Sequence, residues 1–167
     1  DLSSPVSAVT SPSSAVVQGL PLQTISGTAN DTNGLVASVK VAVKRVSDGG
    51  WWNGGAFSGG LQWRNTTWDG TIWTFTEIGN VNLSSGSYYI TSKALDEVGN
   101  EEGNAGGNQD LTGSTTFTYD IQIPTATVAV PADGSYKKAG SMASISGLSL
   151  DLVSVSTQVN AVRRIEL

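Results

Sequence analysis

An internal repeat constrains the fold of this chain more than any other feature of its sequence. Three short motifs occur twice, in the same order and with an offset of 119 or 120 residues: residues 1–5 and 120–124, 25–27 and 145–147, and 41–46 and 160–165. The second pair is Ile25-Ser-Gly27 and Ile145-Ser-Gly147. A repeat with a nearly constant offset indicates tandem copies of one structural unit. We therefore predict one complete unit in residues 1–119 and the first three strands of a second, incomplete repeat in residues 120–167.

Alternating apolar and polar residues predict that the unit is built from β-strands. In the clearest segment, Gly86–Asp96, the residues Tyr88, Ile90 and Ala94 fall on one face of an extended chain. The predicted strands of the first unit are Val6–Thr10, Leu22–Ala29, Leu35–Val46, Thr71–Glu77, Gly86–Asp96 and Thr115–Tyr119, with a short continuation near Ala15–Val17 and an aromatic ribbon over Trp51–Trp63. Those of the second unit are Thr125–Val130, Ala143–Leu148 and Val153–Ile165.

This pattern predicts an all-β protein with two packed sheets. Short strands follow one another through turns rich in Gly, Asn and Asp, and no segment has a sustained apolar period of about 3.6 residues. Such a series is typical of an antiparallel β-sandwich. The predicted shared core is Val39, Val41, Val43, Trp73, Phe75, Tyr88, Ile90 and Ala94.

The composition excludes several classes of function. The chain has no Cys and no His, which removes disulfides, thiolate zinc sites and Cys–His or Ser–His catalytic pairs. A net charge of −5 argues against a nucleic-acid partner, because phosphate neutralisation needs Lys and Arg. No apolar run is long enough to predict a membrane span.

Several motifs resemble the Ig-like repeats of large bacterial surface proteins. They are Ile25-Ser-Gly27-Thr-Ala, Trp52-Asn-Gly54 with Phe57, Trp73-Thr-Phe75, Gly86-x-Tyr88, Ala94-x-Asp96-x-x-Gly99-Asn100 and Phe117-x-Tyr119-Asp120 leading to Pro124. The resemblance implies an Ig-like sandwich, an extracellular location, and a non-enzymatic structural or adhesive role within a stalk or adhesin. Gly86-x-Tyr88 also resembles a tyrosine corner, in which the Tyr hydroxyl bonds nearby backbone.

The tryptophans have two interpretations. Five of them lie between residues 51 and 73. Packing is the expected role of Trp52 and Trp73, since large aromatic side chains fill a core that has little Leu or Phe. Trp63 and Trp68, followed by Asp69, are open to either interpretation, because flat aromatic faces stack on sugar rings and a carboxylate can bind hydroxyl groups. A carbohydrate-binding module that uses these three residues and takes a cell-surface glycan is therefore an alternative function.

Acidic and amide residues form a candidate calcium site. In an Ig-like sandwich the chain enters beside the second and sixth inter-strand loops, an arrangement that brings Asp1 near Asp31, Asp96 and Asn100. In the second unit, Asp120 is expected near Asp151. Carboxylate and amide oxygens are calcium ligands, but Asp and Asn also stabilise turns by bonding their own backbone. Both interpretations are open.

Two further clusters have simpler interpretations. Glu97, Glu101 and Glu102 are expected to form a solvated group of charges, and the lysines of the central strands are expected to point outward. The expected partners are neighbouring repeats or copies of the same protein. A filament subunit assembled by β-strand exchange is the remaining alternative, because an incomplete sandwich leaves an open edge and an apolar face that need covering.

Overall fold

The computed structural model describes residues 2–13, 17–18, 22–79, 83–103, 113–135, 137–138, 140 and 144–150. The chain forms two compact units, Asp1–Ile121 and Gln122–Leu167. The strands of the first unit are β1 (Val6–Ser11), β2 (Val17–Gln18), β3 (Ile25–Asn30), β4 (Val36–Arg45), β5 (Arg64–Asn65), β6 (Thr67–Trp68), β7 (Ile72–Phe75), β8 (Gly86–Asp96) and β9 (Thr115–Tyr119). Those of the second are β10 (Thr125–Val130) and β11 (Ser146–Leu150).

The first unit is an Ig-like β-sandwich, as predicted. One sheet has the order β1-β3-β7-β6 and the other the order β2-β9-β8-β4-β5. All pairings are antiparallel except that of β2 with β9, which is parallel. This arrangement matches the ABED and GFC sheets of an Ig domain, with β4, β8 and β9 as strands C, F and G. No helix within the described residues is long and apolar enough to cross a membrane.

The predicted core is confirmed. All eight predicted side chains are buried in one cluster between the two sheets. Trp52 joins them, and its ring packs against Phe57 with 5.2 Å between centroids. The segment after β4 is less regular than the predicted ribbon, because the Asn53 Oδ1 atom accepts the amide hydrogens of residues 55 and 56 and closes a tight turn. The short strands β5 and β6 follow that turn.

The predicted tyrosine corner is present at the start of β8. The Tyr88 hydroxyl donates to the carbonyl oxygen of Ser84 and accepts its amide hydrogen, both at 3.0 Å. The ring stacks on Phe117 with centroids 5.6 Å apart. A polar atom at the edge of the core is thereby satisfied, and the chain before β8 is fixed to the strand.

The second unit contains a hairpin whose pairing matches that of β1 and β3. Val128 pairs with Gly147 and Val130 with Ser146, with an irregularity between the two pairs. In the first unit Val9 pairs with Gly27 and Ser11 with Ser26, with the same irregularity. β11 begins three residues later than the predicted strand Ala143–Leu148. The predicted strand Val153–Ile165 lies outside the described residues.

Candidate functional site

Three segments meet at the end of the sandwich where the chain enters. Ser3 Oγ donates to Asp31 Oδ1 at 3.4 Å and accepts from Asn33 Nδ2 at 3.2 Å, which ties the start of the chain to the turn after β3. The loop after β8 joins them through a bond from the Glu97 amide to the Leu35 carbonyl oxygen, at 3.1 Å. The topology therefore brings together the segments that the sequence predicted. Asp1 lies outside the described residues.

Asp96 and Asn100 form a closed turn at the end of β8. Asp96 Oδ1 accepts the amide hydrogens of Val98, Gly99 and Asn100 at 2.7–3.0 Å, and Oδ2 accepts from the Asn100 side chain at 2.8 Å. Burial alone would raise the pKa of Asp96. The hydrogen bonds from Asn100 and the backbone outweigh it, so the pKa lies below its ordinary value of 3.8. Both oxygens thus hold the turn.

The turn makes stability depend on pH in a known direction. Because the pKa of Asp96 is lowered by folding, its contribution is complete above the unfolded pKa and is lost as the pH falls through the folded one. We expect the stability difference between the native chain and Asp96→Asn to shrink in urea titrations as the pH falls below about 5. A constant difference over that range would contradict the assignment.

The calcium hypothesis receives mixed support from this geometry. Asp31 Oδ2 is buried and has no hydrogen-bond partner among the described residues, which leaves one oxygen that a cation could satisfy. However, no group of three acidic side chains suited to a metal is found in the described part of the chain. Asp120 follows Tyr119, which pairs with Gly86 at the start of β8, roughly 33 Å along the strand from Asp96. Asp151 lies outside the described residues.

Calcium binding stays a prediction with a direct test. A cation held only by the folded chain would raise the melting temperature by mass action. The hypothesis predicts a higher melting temperature in millimolar calcium than in chelator, and loss of that rise in Asp31→Asn. Identical melting curves in the two conditions would contradict it.

Trp68 and Asp69 shape the β6–β7 hairpin. Trp68 Nε1 donates to the Val36 carbonyl oxygen at 3.0 Å, and part of the ring packs against the core. Asp69 Oδ1 accepts the amide hydrogens of Ile72 and Thr71 at 2.7 and 2.8 Å, and these bonds, in that order, lower its pKa. Asp69 Oδ1 therefore stabilises a turn, and the binding of hydroxyl groups by this carboxylate stays a prediction.

Trp68 shares a cleft with polar residues other than Asp69, the neighbour that the sequence predicted. A cleft of about 240 Å³ lies between β6 and the turn after β3. Trp68, Asp31 and Glu97 line it together with Leu35. An aromatic wall with carboxylates is typical of small-ligand sites. This cleft contains Trp68 from the predicted carbohydrate site and Asp31 from the predicted calcium site. Carbohydrate binding at Trp68 stays a prediction.

Trp63 lies elsewhere, directly before β5 of the five-stranded sheet. The Lys93 ammonium is 4.9 Å from its ring centroid and also binds Glu101 at 2.5 Å. Trp68 belongs to β6 of the four-stranded sheet, and no ring contact joins it to Trp63 among the described residues. Lys93 is on the outer face, as predicted, but only 14% of its side chain is exposed.

Glu102 has a structural role that the sequence did not reveal. Its carboxylate accepts from the Ser7 amide at 2.9 Å, the Ser7 hydroxyl at 2.5 Å and the Ala94 amide at 2.9 Å. The Ser7 hydroxyl also lies 2.9 Å from Ser92 Oγ, and both serines are buried. The prediction of a solvated group of charges is therefore wrong for Glu101 and Glu102. These carboxylates have specific partners, which lie on β8 and, for Glu102, also on β1.

Removing this carboxylate should weaken the sandwich. We expect Glu102→Ala to lower the free energy of unfolding by about 2 kcal/mol, because buried amide and hydroxyl donors lose a charged acceptor. Urea titration measures the change, and Glu97→Ala is the matched control because Glu97 is exposed and lies in the same loop. Equal effects of the two substitutions would contradict the role of Glu102.

Comparisons with known proteins add little to this geometry. No protein-family model and no curated protein matches the chain. Among solved structures, the crystal structure of CopC from Methylosinus trichosporium OB3b is similar to it, with 17% identity and a TM-score of 0.42. The alignment covers 69% of this chain and 94% of that chain. At this identity and score the likeness indicates nothing about ligand or role.

Proposed function

We propose that the chain is a non-enzymatic structural or adhesive segment of an extracellular bacterial surface protein, built from tandem Ig-like repeats. The observation that carries the proposal is the duplicated hairpin. β10 and β11 repeat the register, the irregularity and the paired glycine of β1 and β3, at offsets of 119 and 120 residues. Tandem copies of one sandwich are suited to extending a protein from a surface, because each copy contributes its own core and length.

In both hairpins a glycine lies where the backbone of the partner strand approaches most closely. A β-carbon on Gly27 would lie 1.9 Å from the Ala8 carbonyl oxygen, and one on Gly147 would lie 2.1 Å from the Thr127 carbonyl oxygen. In each hairpin the glycine pairs with the last residue of the partner strand before the register shifts. Such a detail is not required of hairpins in general, and its recurrence supports a common repeat.

The proposal is tested by joining repeats. A chain that carries residues 1–121 twice in tandem should unfold with the melting temperature of a single copy and with twice its molar enthalpy. The same tandem, coupled to beads, should retain them on a cell or glycan-coated surface that releases uncoated beads. A tandem that does not fold, or beads that detach like the uncoated ones from every surface tested, would contradict the structural and adhesive roles respectively.

The second unit favours strand exchange as a second candidate. All six side chains of β10 are exposed, among them Val128 and Val130, and Leu148 of β11 is exposed as well. Apolar residues on a two-stranded sheet are usually covered by a partner. In this hypothesis another copy of the chain covers them, so the full chain should elute as an oligomer and a chain ending at Asp120 as a monomer in gel filtration. The same oligomer in both chains would contradict strand exchange.

A further inference from the structure

The outer face of the five-stranded sheet has an unusual set of side chains. Val39, Val41 and Val43 of β4 point into the core, so the alternate residues point outward. The outward residues of β4 and β8 pair as Lys40 with Lys93, Ala42 with Thr91, and Lys44 with Tyr89. Two tryptophans from the neighbouring segment, Trp51 and Trp63, contact the lysines of this set. We call these eight residues the lysine–tryptophan face.

The large side chains of this face contact one another. Ala42 and Thr91 are fully buried, although they are on the side of the sheet away from the core. The Lys44 ammonium is 5.8 Å from the Trp51 ring centroid, and the Trp51 ring meets Tyr89 edge-on with centroids 6.3 Å apart. The longer side chains on this face therefore contact one another and form a platform whose aromatic rings are held by their neighbours.

Part of the positive charge on this face is not neutralised by any residue that the structure describes. Lys40 and Lys93 are directly opposite in the ladder, a placement that is unfavourable for like charges. Glu101 neutralises Lys93, whereas Lys40 and Lys44 form no ion pair with any residue that the structure describes. This local excess occurs in a chain with a net charge of −5. An anion bound near Lys40 and Lys44 would supply the missing opposite charge.

We infer that the lysine–tryptophan face binds an acidic polysaccharide. Sugar rings would stack on Trp51 and Trp63, and carboxylate or sulfate groups would pair with Lys40 and Lys44. The two lysines are four residues apart on β4, roughly 13 Å, which suits linked sugars rather than a single ring. β4 and β8 are interior strands, so a peptide cannot add to them by backbone pairing, and side chains alone must recognise the ligand. This inference goes beyond the repeat role and does not depend on it.

Binding is measured by calorimetry with the full chain and four polymers. Polygalacturonate presents carboxylates, heparin presents sulfates, dextran is neutral, and polyglutamate is an acidic peptide. We expect at least one acidic polysaccharide to bind and dextran not to bind. Polyglutamate should bind at least about tenfold more weakly than that polysaccharide. Raising the salt from about 0.1 M to about 1 M should abolish binding, because the screening length falls from ~10 Å to ~3 Å.

Charge reversal at Lys40 separates binding from folding. Lys40→Glu places a carboxylate opposite Lys93, so the melting temperature should be unchanged or higher while affinity falls about tenfold or more. Lys137→Glu makes the same charge change at an exposed position of the second unit and should leave affinity unchanged. Trp51→Ala should weaken binding at every salt concentration at which binding is measurable, because it removes a stacking surface rather than a charge.

Three results would overturn the inference. The first is that neither acidic polysaccharide binds at low salt. The second is that Lys40→Glu leaves the affinity of a bound polysaccharide unchanged. The third is that polyglutamate binds as tightly as the sugars, since an acidic protein surface would then be the occupant of this face.

Discussion

Trp73→Ala should lower the free energy of unfolding by roughly 3–5 kcal/mol, a large part of the stability of a domain of this size. Trp73 is fully buried between the sheets, and its Nε1 atom donates to the Thr28 carbonyl oxygen at 3.2 Å. Its ring also lies against Gly27, where no side chain can move into the space. Truncation therefore leaves a cavity that the surrounding strands cannot close, and one carbonyl group loses its donor.

Urea titration of the first unit measures this loss, and the neighbouring residue is the matched control. Ile72 is on the same strand but is 45% exposed, so Ile72→Ala should cost less than about 1 kcal/mol. Trp73→Phe should recover part of the loss, because it refills most of the cavity without restoring the hydrogen bond to Thr28. Similar midpoints for Trp73→Ala and Ile72→Ala would show that the core does not depend on this residue.

The sequence was informative where a local pattern determines the structure. The two-residue alternation over β8 places Tyr88, Ile90 and Ala94 in the core whatever lies across from them. The tyrosine corner was predictable for the same reason, since Tyr88 and its backbone partner are four residues apart. Turn residues such as Asp96 were correctly suspected of bonding their own backbone.

The sequence was uninformative where distant segments determine a side chain's surroundings. Glu102 and Ser7 are 95 residues apart, and no local pattern distinguishes this glutamate from its exposed neighbour Glu97. The burial of Ala42 and Thr91 was equally hidden, because both residues lie on the face of the sheet opposite the core. Alternation predicts which face a residue is on, but not what covers that face.

The second large effect concerns the glycine at which the two paired strands of each hairpin approach closely, Gly27 in β3 and Gly147 in β11. Gly27→Ala should lower the free energy of unfolding by about 3 kcal/mol, at the upper end of the cost of overpacking. The new β-carbon would lie 1.9 Å from the Ala8 carbonyl oxygen, which is backbone and cannot rotate away. β1 would have to separate from β3 at the point where their register shifts. Glycine at this position is explained by close backbone approach beside a bulge.

Two further glycines make this prediction specific. Gly60 has open space around it, so Gly60→Ala should leave stability within about 0.5 kcal/mol of the native value. Gly147→Ala should open the β10–β11 hairpin, because its β-carbon would meet the Thr127 carbonyl oxygen at 2.1 Å. Hydrogen exchange of the backbone amides that pair β10 with β11 reports that opening. If Gly147→Ala left these amides as protected as in the native chain, the close approach in β10–β11 would not be equivalent to that in β1–β3, and the main structural support for a second repeat would be lost.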